Sequence, residues 1–264
     1  NLWLVRYNDS ILTIKDAYYS FYSTSFGSDY ERYYTKINNN GGFFIYEYID
    51  HIDEQISGNK ATCDILTKCK KYAMSGFADL IVPSADVLCD EVKHLNHVVV
   101  KNGVSVEHYL SKLTNTSDTT SIMDLDESFV GFTKLYKYVC GYFGAIAPWL
   151  DYDILNEIAL RRPDIGFVYI GPDYQDSVKL LPKTANVKYM GSVNYKILPY
   201  YAQKFDICCI PFAKGDIART TSPLKLYEYF SLQKPVIASN YMTECTQYKE
   251  VLSYTSCEEF SDAI

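Results

Sequence analysis

Two consecutive α/β domains, each built on a doubly wound parallel sheet, are predicted by three features of this chain. Short apolar runs alternate with helical segments along most of its length, the runs are uninterrupted, and glycines fall where the runs end. A parallel strand covered on both faces needs apolar side chains at every position, whereas a half-exposed antiparallel strand would alternate. With 264 residues and 48% apolar content the chain is long enough for two such cores.

The second half shows the pattern most cleanly. Residues 138–144 form a strand that runs into glycine, and the helix that follows, 151–161, is closed by Arg161, Arg162 and Pro163. Asp151 and Asp153 have the spacing of a metal-binding acid pair, but they open a helix, where acids are expected as caps. Strands follow at 167–170, 187–190, 207–210 and 235–239, with helices at 195–203 and 223–232. Gly144, Gly171 and Gly191 stand at carboxyl ends of strands, the edge at which such sheets bind ligands. Asp173 and Asp176, just beyond Gly171, read as loop and cap residues.

The first half is less regular. Strands are expected at 43–48, 80–83 and 97–101, and helices at 61–75 and 84–94. The polar stretch 111–127 reads as a connection, which divides the chain into residues 1–125 and 126–264. The first domain reads as incomplete: before Phe43 only Leu2-Trp-Leu-Val5 has a strand-like run, and no glycine-rich loop follows it. Asn1 at the start, and a capping box at Ser256-Cys-Glu-Glu259 cut short at Ile264, suggest an excerpt of a longer chain.

Composition narrows the function classes. A net charge of −7 and a pI near 5.1 give no broad basic footprint for nucleic acid. Eight cysteines without a CxxC pair, two of them adjacent at Cys208 and Cys209, fit reduced cytosolic thiols. His51, His94, His97 and His108 lack zinc-ligand spacing, so no metal site is expected. No apolar stretch approaches the roughly 20 residues that span a bilayer, and no signal peptide is recognisable, which leaves peripheral attachment to a membrane surface open. The 26 tyrosines, dense at Tyr18, Tyr19, Tyr22, Tyr30, Tyr33 and Tyr34, read first as packing surface and second as sugar-stacking groups.

The segment from Ser222 to Ser239 is the most specific. Ser222 is expected to cap a helix with Pro223 at its first position, placing Lys225 and Glu228 on one face. A lysine in the first turn opposes the helix dipole, and lysine before glutamate is the poorer order for an intrahelical pair. An anion bound at the N-terminus would reverse that penalty, with Glu228 one turn deeper accepting from hydroxyls. The plainer reading is a solvated lysine–glutamate pair.

These residues resemble the GT-B glycosyltransferases of the family-4-like group, glycosyl transferases group 1. Val100-Lys-Asn-Gly-Val104 is similar to their Asn-Gly-Val turn and Ala78-Asp-Leu-Ile-Val82 to the strand before it. Gly141-Tyr-Phe-Gly-Ala-Ile146 and Phe205-Asp-Ile-Cys-Cys-Ile-Pro-Phe212 resemble donor-domain strands, and 222–239 resembles their donor-binding block. The resemblance implies two Rossmann-like domains facing a cleft, and metal-independent transfer of a hexosyl-type sugar from a nucleotide-sugar donor to a glycan or lipid-linked acceptor, as in polysaccharide biosynthesis. No cofactor besides the donor is implied. Glu228 matches the ribose ligand; Arg219, Thr220, Thr221 and Ser222 match the segment around the diphosphate and sugar; Lys225 and Arg219 would neutralise phosphate. Gly191 and Asn194 match the base-contacting loop, and Gly144 the loop facing the cleft.

Two departures stand beside the match. Thr220 occupies the position of a second glutamate found eight residues before the ribose ligand in many relatives. Gln233 replaces the glycine that supplies a left-handed turn after the helix. Around the end of the strand 43–48, Glu47, Asp50, His51 and Asp53 cluster; Asp50 or a neighbouring carboxylate would be a base in an inverting reaction, His51 a sugar contact in a retaining one, and capping explains the cluster equally well. An epimerase of the same fold and a non-catalytic nucleotide-sugar binding module are the alternatives.

Overall fold

The computed structural model describes residues 14–24, 28–114 and 125–264. By contacts the chain separates into two compact units, 1–101 with 220–222, and 102–219 with 223–264. The division falls upstream of the 125/126 connection, because the helix Val106–Thr114 packs with elements of the second unit. Most of the stretch 111–127, and the Leu2–Val5 run, lie outside the described residues.

In the first unit β1 (Tyr18–Tyr22), α1 (Tyr30–Asn39), β2 (Phe43–Tyr48), α2 (Glu54–Ser57), α3 (Lys60–Tyr72), β3 (Leu80–Pro83) and α4 (Asp86–Cys89) follow in order. The strands form a parallel sheet, β1-β2-β3, with Tyr19 opposite Phe44 and Tyr46 opposite Ile81. The expected strand 43–48 and the strand 80–83 are both present. β1 and α1 were not anticipated: polar and charged residues interrupt their apolar pattern, and the tyrosines divide between the core (Tyr19, Tyr34) and solvent (Tyr18, Tyr22). The helix expected at 84–94 shrinks to the single turn of α4, since the charged residues beyond Asp90 offer no continuous apolar face. The strand expected at 97–101 is an extended segment that donates from Val98 and Val100 to Ile81 and Pro83 but forms one isolated bridge, at His97. α3 continues into a π-helical turn, Ala73–Phe77, closed by Ala78 N donating to Ala73 O at 3.1 Å with Gly76 at φ 102°.

The second unit contains α5 (Val106–Thr114), α6 (Glu127–Thr133), β4 (Tyr138–Phe143), α7 (Tyr152–Arg161), β5 (Ile165–Ile170), β6 (Val187–Tyr189), α8 (Leu198–Ala202), β7 (Ile207–Ile210), α9 (Asp216–Thr220), α10 (Leu224–Ser231), β8 (Val236–Ser239), β9 (Val251–Tyr254) and α11 (Cys257–Ala263). Six parallel strands lie in the order β6-β5-β4-β7-β8-β9. Their buried side chains explain the unbroken apolar runs: every residue of β5, β7 and β8 is buried. Asp151 caps α7 by accepting from Ile154 N at 3.1 Å, as its position predicts. Asp173 accepts from Val178 N at 3.0 Å, also a loop role. Ser256 caps α11, while Glu259 reaches back to Thr255 N, one residue before the cap.

Two helix starts move. The helix expected from Tyr195 begins at Leu198, because Pro199 has no N–H to donate four residues back to the Tyr195 carbonyl and is accepted in the first turn. The helix expected to be capped by Ser222 begins at Leu224, with extended Pro223 (φ −77°, ψ 119°) as its cap and no side-chain cap bond. Lys225 is therefore its second residue. Gln233 adopts φ 56°, the left-handed turn that the missing glycine would have supplied.

Candidate functional site

The strand order of the second unit reverses between β4 and β7: one branch runs outward through β5 and β6, the other through β8 and β9. In open parallel sheets the crevice beyond the carboxyl ends at such a reversal is the ligand site. Gly144 follows β4 and Phe212 lies just beyond β7. Gly144 (φ 142°) donates its N–H to Ile170 O at 2.9 Å, and Gly171 (φ 150°) donates to Gly191 O at 2.8 Å. A Cβ on Gly171 would lie 1.9 Å from Gly144 O, so only glycine allows these strand ends to approach. All three glycines predicted at strand ends meet here, at the ends of β4, β5 and β6.

Lys225 reaches from α10 into this reversal point. Its Nζ lies 5.6 Å from the Tyr142 ring centroid and 5.1 Å from that of Phe212, and a Cβ on Gly144 would come within 2.8 Å of its Cε. The absence of a side chain at Gly144 thus makes room for the lysine stem, while the two aromatic faces attract the ammonium. α10 begins beside it, where Leu226 N donates to Pro223 O at 3.0 Å. Glu228 is one turn deeper on the same helix.

The carboxylate of Glu228 is held by a residue the sequence reading did not single out. Fully buried Tyr109, on α5, donates its hydroxyl to Glu228 Oε1 at 2.6 Å and stands 3.3 Å from the Tyr195 hydroxyl. Burial first, then the bonds to Glu228 and Tyr195, pushes the Tyr109 phenol above the usual tyrosine range, so it stays a donor. The His108 ring stacks on Tyr195 at 4.6 Å and 5°. No local signal in the sequence marks Tyr109 for this contact, since its partner lies 119 positions on.

The other predicted donor residues have more local roles. Asn194 is exposed, and its Oδ1 accepts from Lys196 N at 2.9 Å to shape the turn after Gly191. Arg219 is half-exposed and pairs with Asp216 on its own helix, its Nη2 2.9 Å from Oδ1. Its carbonyl accepts from the Thr243 hydroxyl at 2.5 Å. Thr220 and Ser222 are buried and Thr221 is partly so.

In the first unit, Asp50 and His51 follow β2, both half-buried. Asp53 caps α2, accepting from Gln55 N at 2.7 Å, so capping accounts for that member of the acid cluster. Glu47 accepts from the Ser20 hydroxyl. His51 instead joins a polar group further along. Lys70 donates to the Tyr48 hydroxyl at 2.8 Å and to Glu91, and Tyr48 donates to Glu91 at 3.1 Å. Burial opposes ionisation of Glu91, but the Lys70 bond and charge outweigh it and hold the carboxyl below its ordinary range, with a smaller contribution from His51. Among the described residues no group of three His, Cys, Asp or Glu side chains converges as a metal ion would need, and no helix is long and apolar enough to cross a membrane.

Lys225 and the hydrogen-bonded Glu228 thus stand on one helix beside the strand-order reversal of a parallel α/β unit. Residues 138–264 match the model of the family glycosyl transferases group 1. The chain is 32% identical over 173 residues to TuaH of Bacillus subtilis (strain 168), named as a teichuronic acid biosynthesis glycosyltransferase; the match covers 62% of this chain and 41% of that protein. Among solved structures, Anabaena Alr3699/HepE in complex with UDP and glucose superposes with a TM-score of 0.64 at 18% identity, over 87% of this chain and 62% of that one. A UDP-forming α,α-trehalose-phosphate synthase from Burkholderia xenovorans, in complex with glucose 6-phosphate, gives 0.63 at 9% identity, over 88% and 62%. These superpositions show the GT-B fold, two parallel-sheet α/β domains. The chain spans less than two thirds of the length of each of these proteins.

Proposed function

We propose that this chain transfers a hexosyl-type sugar from a nucleoside-diphosphate donor to a glycan or lipid-linked acceptor. The observation that carries this reading is Lys225 laid over Gly144 at the strand-order reversal, with Glu228 one turn on. In glycosyl transfer negative charge grows on the departing diphosphate, and a cation and a helix N-terminus already placed beside it stabilise it without rearranging. Lys225 and the start of α10 supply these; Arg219 adds positive charge nearby once a phosphate competes with Asp216. Glu228 Oε1 is held by Tyr109, which leaves Oε2 for ribose hydroxyls. Gly191 and Asn194 shape the loop proposed for the base, and Gly144 keeps the approach open.

Residues 126–264 form the donor domain in this reading, and residues 1–125 the acceptor side, with Asp50 and His51 as the groups proposed to act on acceptor or sugar. The complexes of Alr3699/HepE with UDP and with UDP-glucose support a nucleotide-sugar donor, and the TuaH name supports a role in polysaccharide synthesis. One observation favours a second reading. Buried Thr220 supplies no carboxylate where many relatives have one, as in a module that binds a nucleotide sugar without transferring it. Incubating the chain with a UDP-sugar and following release of UDP, with and without oligosaccharide acceptors, separates them: acceptor-dependent release supports transfer, and tight binding without release supports the module.

A further inference from the structure

A cavity of about 560 Å³ opens in the first unit, sharing only His51 with the residues used in the proposal above, and its lining has the chemistry of a small-molecule site. Its volume falls within the range of roughly 300–1,000 Å³ usual for ligand pockets. Ile52 and Met74 give it an apolar wall, Lys70, Lys71 and Glu91 line it with charge, and His51 sits beside them.

Three observations point to an occupant. His51 Nδ1 is buried with no hydrogen-bond partner, and a buried polar atom left unpaired costs roughly 1–3 kcal/mol unless a ligand or water completes it. The two lysines differ in kind: Lys70 is neutralised by Glu91 and braced on Tyr48, its Nζ 4.6 Å from that ring, whereas Lys71 has no carboxylate within ion-pairing distance among the described residues. The lining therefore carries one uncompensated positive charge beside a fixed donor and acceptor pair. Finally, Met74 and Ser75 reach the cavity from the π-helical turn, an irregularity that occurs often at functional sites. The Ser75 hydroxyl gives its proton to Tyr72 O at 2.7 Å, which leaves its lone pairs facing outward as acceptors.

We propose that this cavity binds a sugar ring bearing one anionic group. The C–H face of the ring lies on Ile52 and Met74, the anion meets Lys71, and ring hydroxyls bond to Glu91, Ser75 and His51 Nδ1. The choice of a sugar rests on the functional reading above; the anion and hydroxyl chemistry rests on the cavity alone. A carboxylate and a phosphate would satisfy Lys71 equally, so both are tested.

The experiment is calorimetric titration of the chain with glucuronate, glucose 6-phosphate and glucose, on the wild type and on Lys71→Gln and Ser75→Val, two exposed positions whose unchanged melting temperature reports an intact fold. At least one charged sugar should bind about tenfold or more tightly than glucose, Lys71→Gln should remove most of that preference, and Ser75→Val should weaken both charged and neutral ligands. The better of the two anions names its source. Equal affinity for glucose, an unchanged preference in Lys71→Gln, or no binding by any of the three overturns the proposal. Repeating the titration on Glu228→Ala separates the two claims: charged-sugar binding retained while nucleotide binding is lost supports a cavity independent of the donor site, and charged-sugar binding lost in that variant overturns the cavity proposal.

Discussion

The hydroxyl of Tyr109 donates to Glu228 Oε1 at 2.6 Å, joining α5 to the helix that carries Lys225. Glu228 therefore does not wait as a free carboxylate: one oxygen is fixed and the other is presented. Tyr109→Phe removes this bond and strands an oxygen of the carboxylate, which should destabilise the chain by about 1–3 kcal/mol. It should also weaken nucleoside diphosphate binding several-fold, with a smaller effect on the 2′,3′-dideoxy analogue, which lacks the hydroxyls proposed for Glu228. Denaturant melts and paired titrations check both; an equal loss for the two ligands would place Tyr109 in the core without a role at the ribose.

Two glycines at the reversal point should fail differently. Gly171→Ala drives a methyl into the Gly144 carbonyl from a backbone angle that only glycine adopts readily, and should cost at least about 3 kcal/mol. In Gly144→Ala the new atom meets the Lys225 Cε, the end of a flexible side chain, in addition to the strained φ. That variant should keep more stability but bind a diphosphate poorly, because its lysine is displaced. Melting temperatures and diphosphate affinities measured on both variants test the contrast.

Gln233 holds a left-handed conformation that costs a residue with a Cβ roughly 1–2 kcal/mol. Gln233→Gly should recover part of this, about 0.5–1 kcal/mol after the entropy glycine loses on folding, and raise the melting temperature without changing nucleotide affinity. A fall in stability would show that the glutamine side chain contributes more than its backbone strain.

Much of the second unit was legible because parallel strands buried on both faces leave unbroken apolar runs with glycine at their ends. Gly144, Gly171 and Gly191 could be placed from such patterns and Lys225 from the helix start at Pro223, whereas the left-handed turn at Gln233 followed from the family resemblance. Of the misplaced elements, the start of α8 is set locally by Pro199, whereas 97–101 depends on a partner distant in sequence: it is extended but pairs only with β3. Tyr109 was missed for a related reason. Its neighbours show that it lies on a helix, but nothing local shows that 119 positions later a carboxylate receives its hydroxyl. Asp53 and Asp151 turned out to be caps, as acids beside helix starts commonly are.

The Lys70–Glu91 pair predicts a modest pH dependence. The Glu91 carboxyl is held below its ordinary value near 4.5 in the folded chain, so its contribution is present above that value and lost as pH falls through the lower, folded one. The carboxylate is 41% exposed, which limits the contribution to no more than about 1 kcal/mol. Glu91→Gln should lower stability at pH 7 and converge with the wild type in acid. Denaturant melts at a series of pH values test this; a constant difference across the range would contradict it.

The central claim, that Lys225 receives a phosphate and Glu228 a ribose on one helix, is tested most directly by titrating UDP and uridine into the wild type, Lys225→Ala and Glu228→Ala. Lys225→Ala should weaken UDP by roughly tenfold or more while leaving uridine nearly unchanged, and Glu228→Ala should weaken both. Equal losses of UDP and uridine in Lys225→Ala, or unchanged affinities in Glu228→Ala, would contradict it.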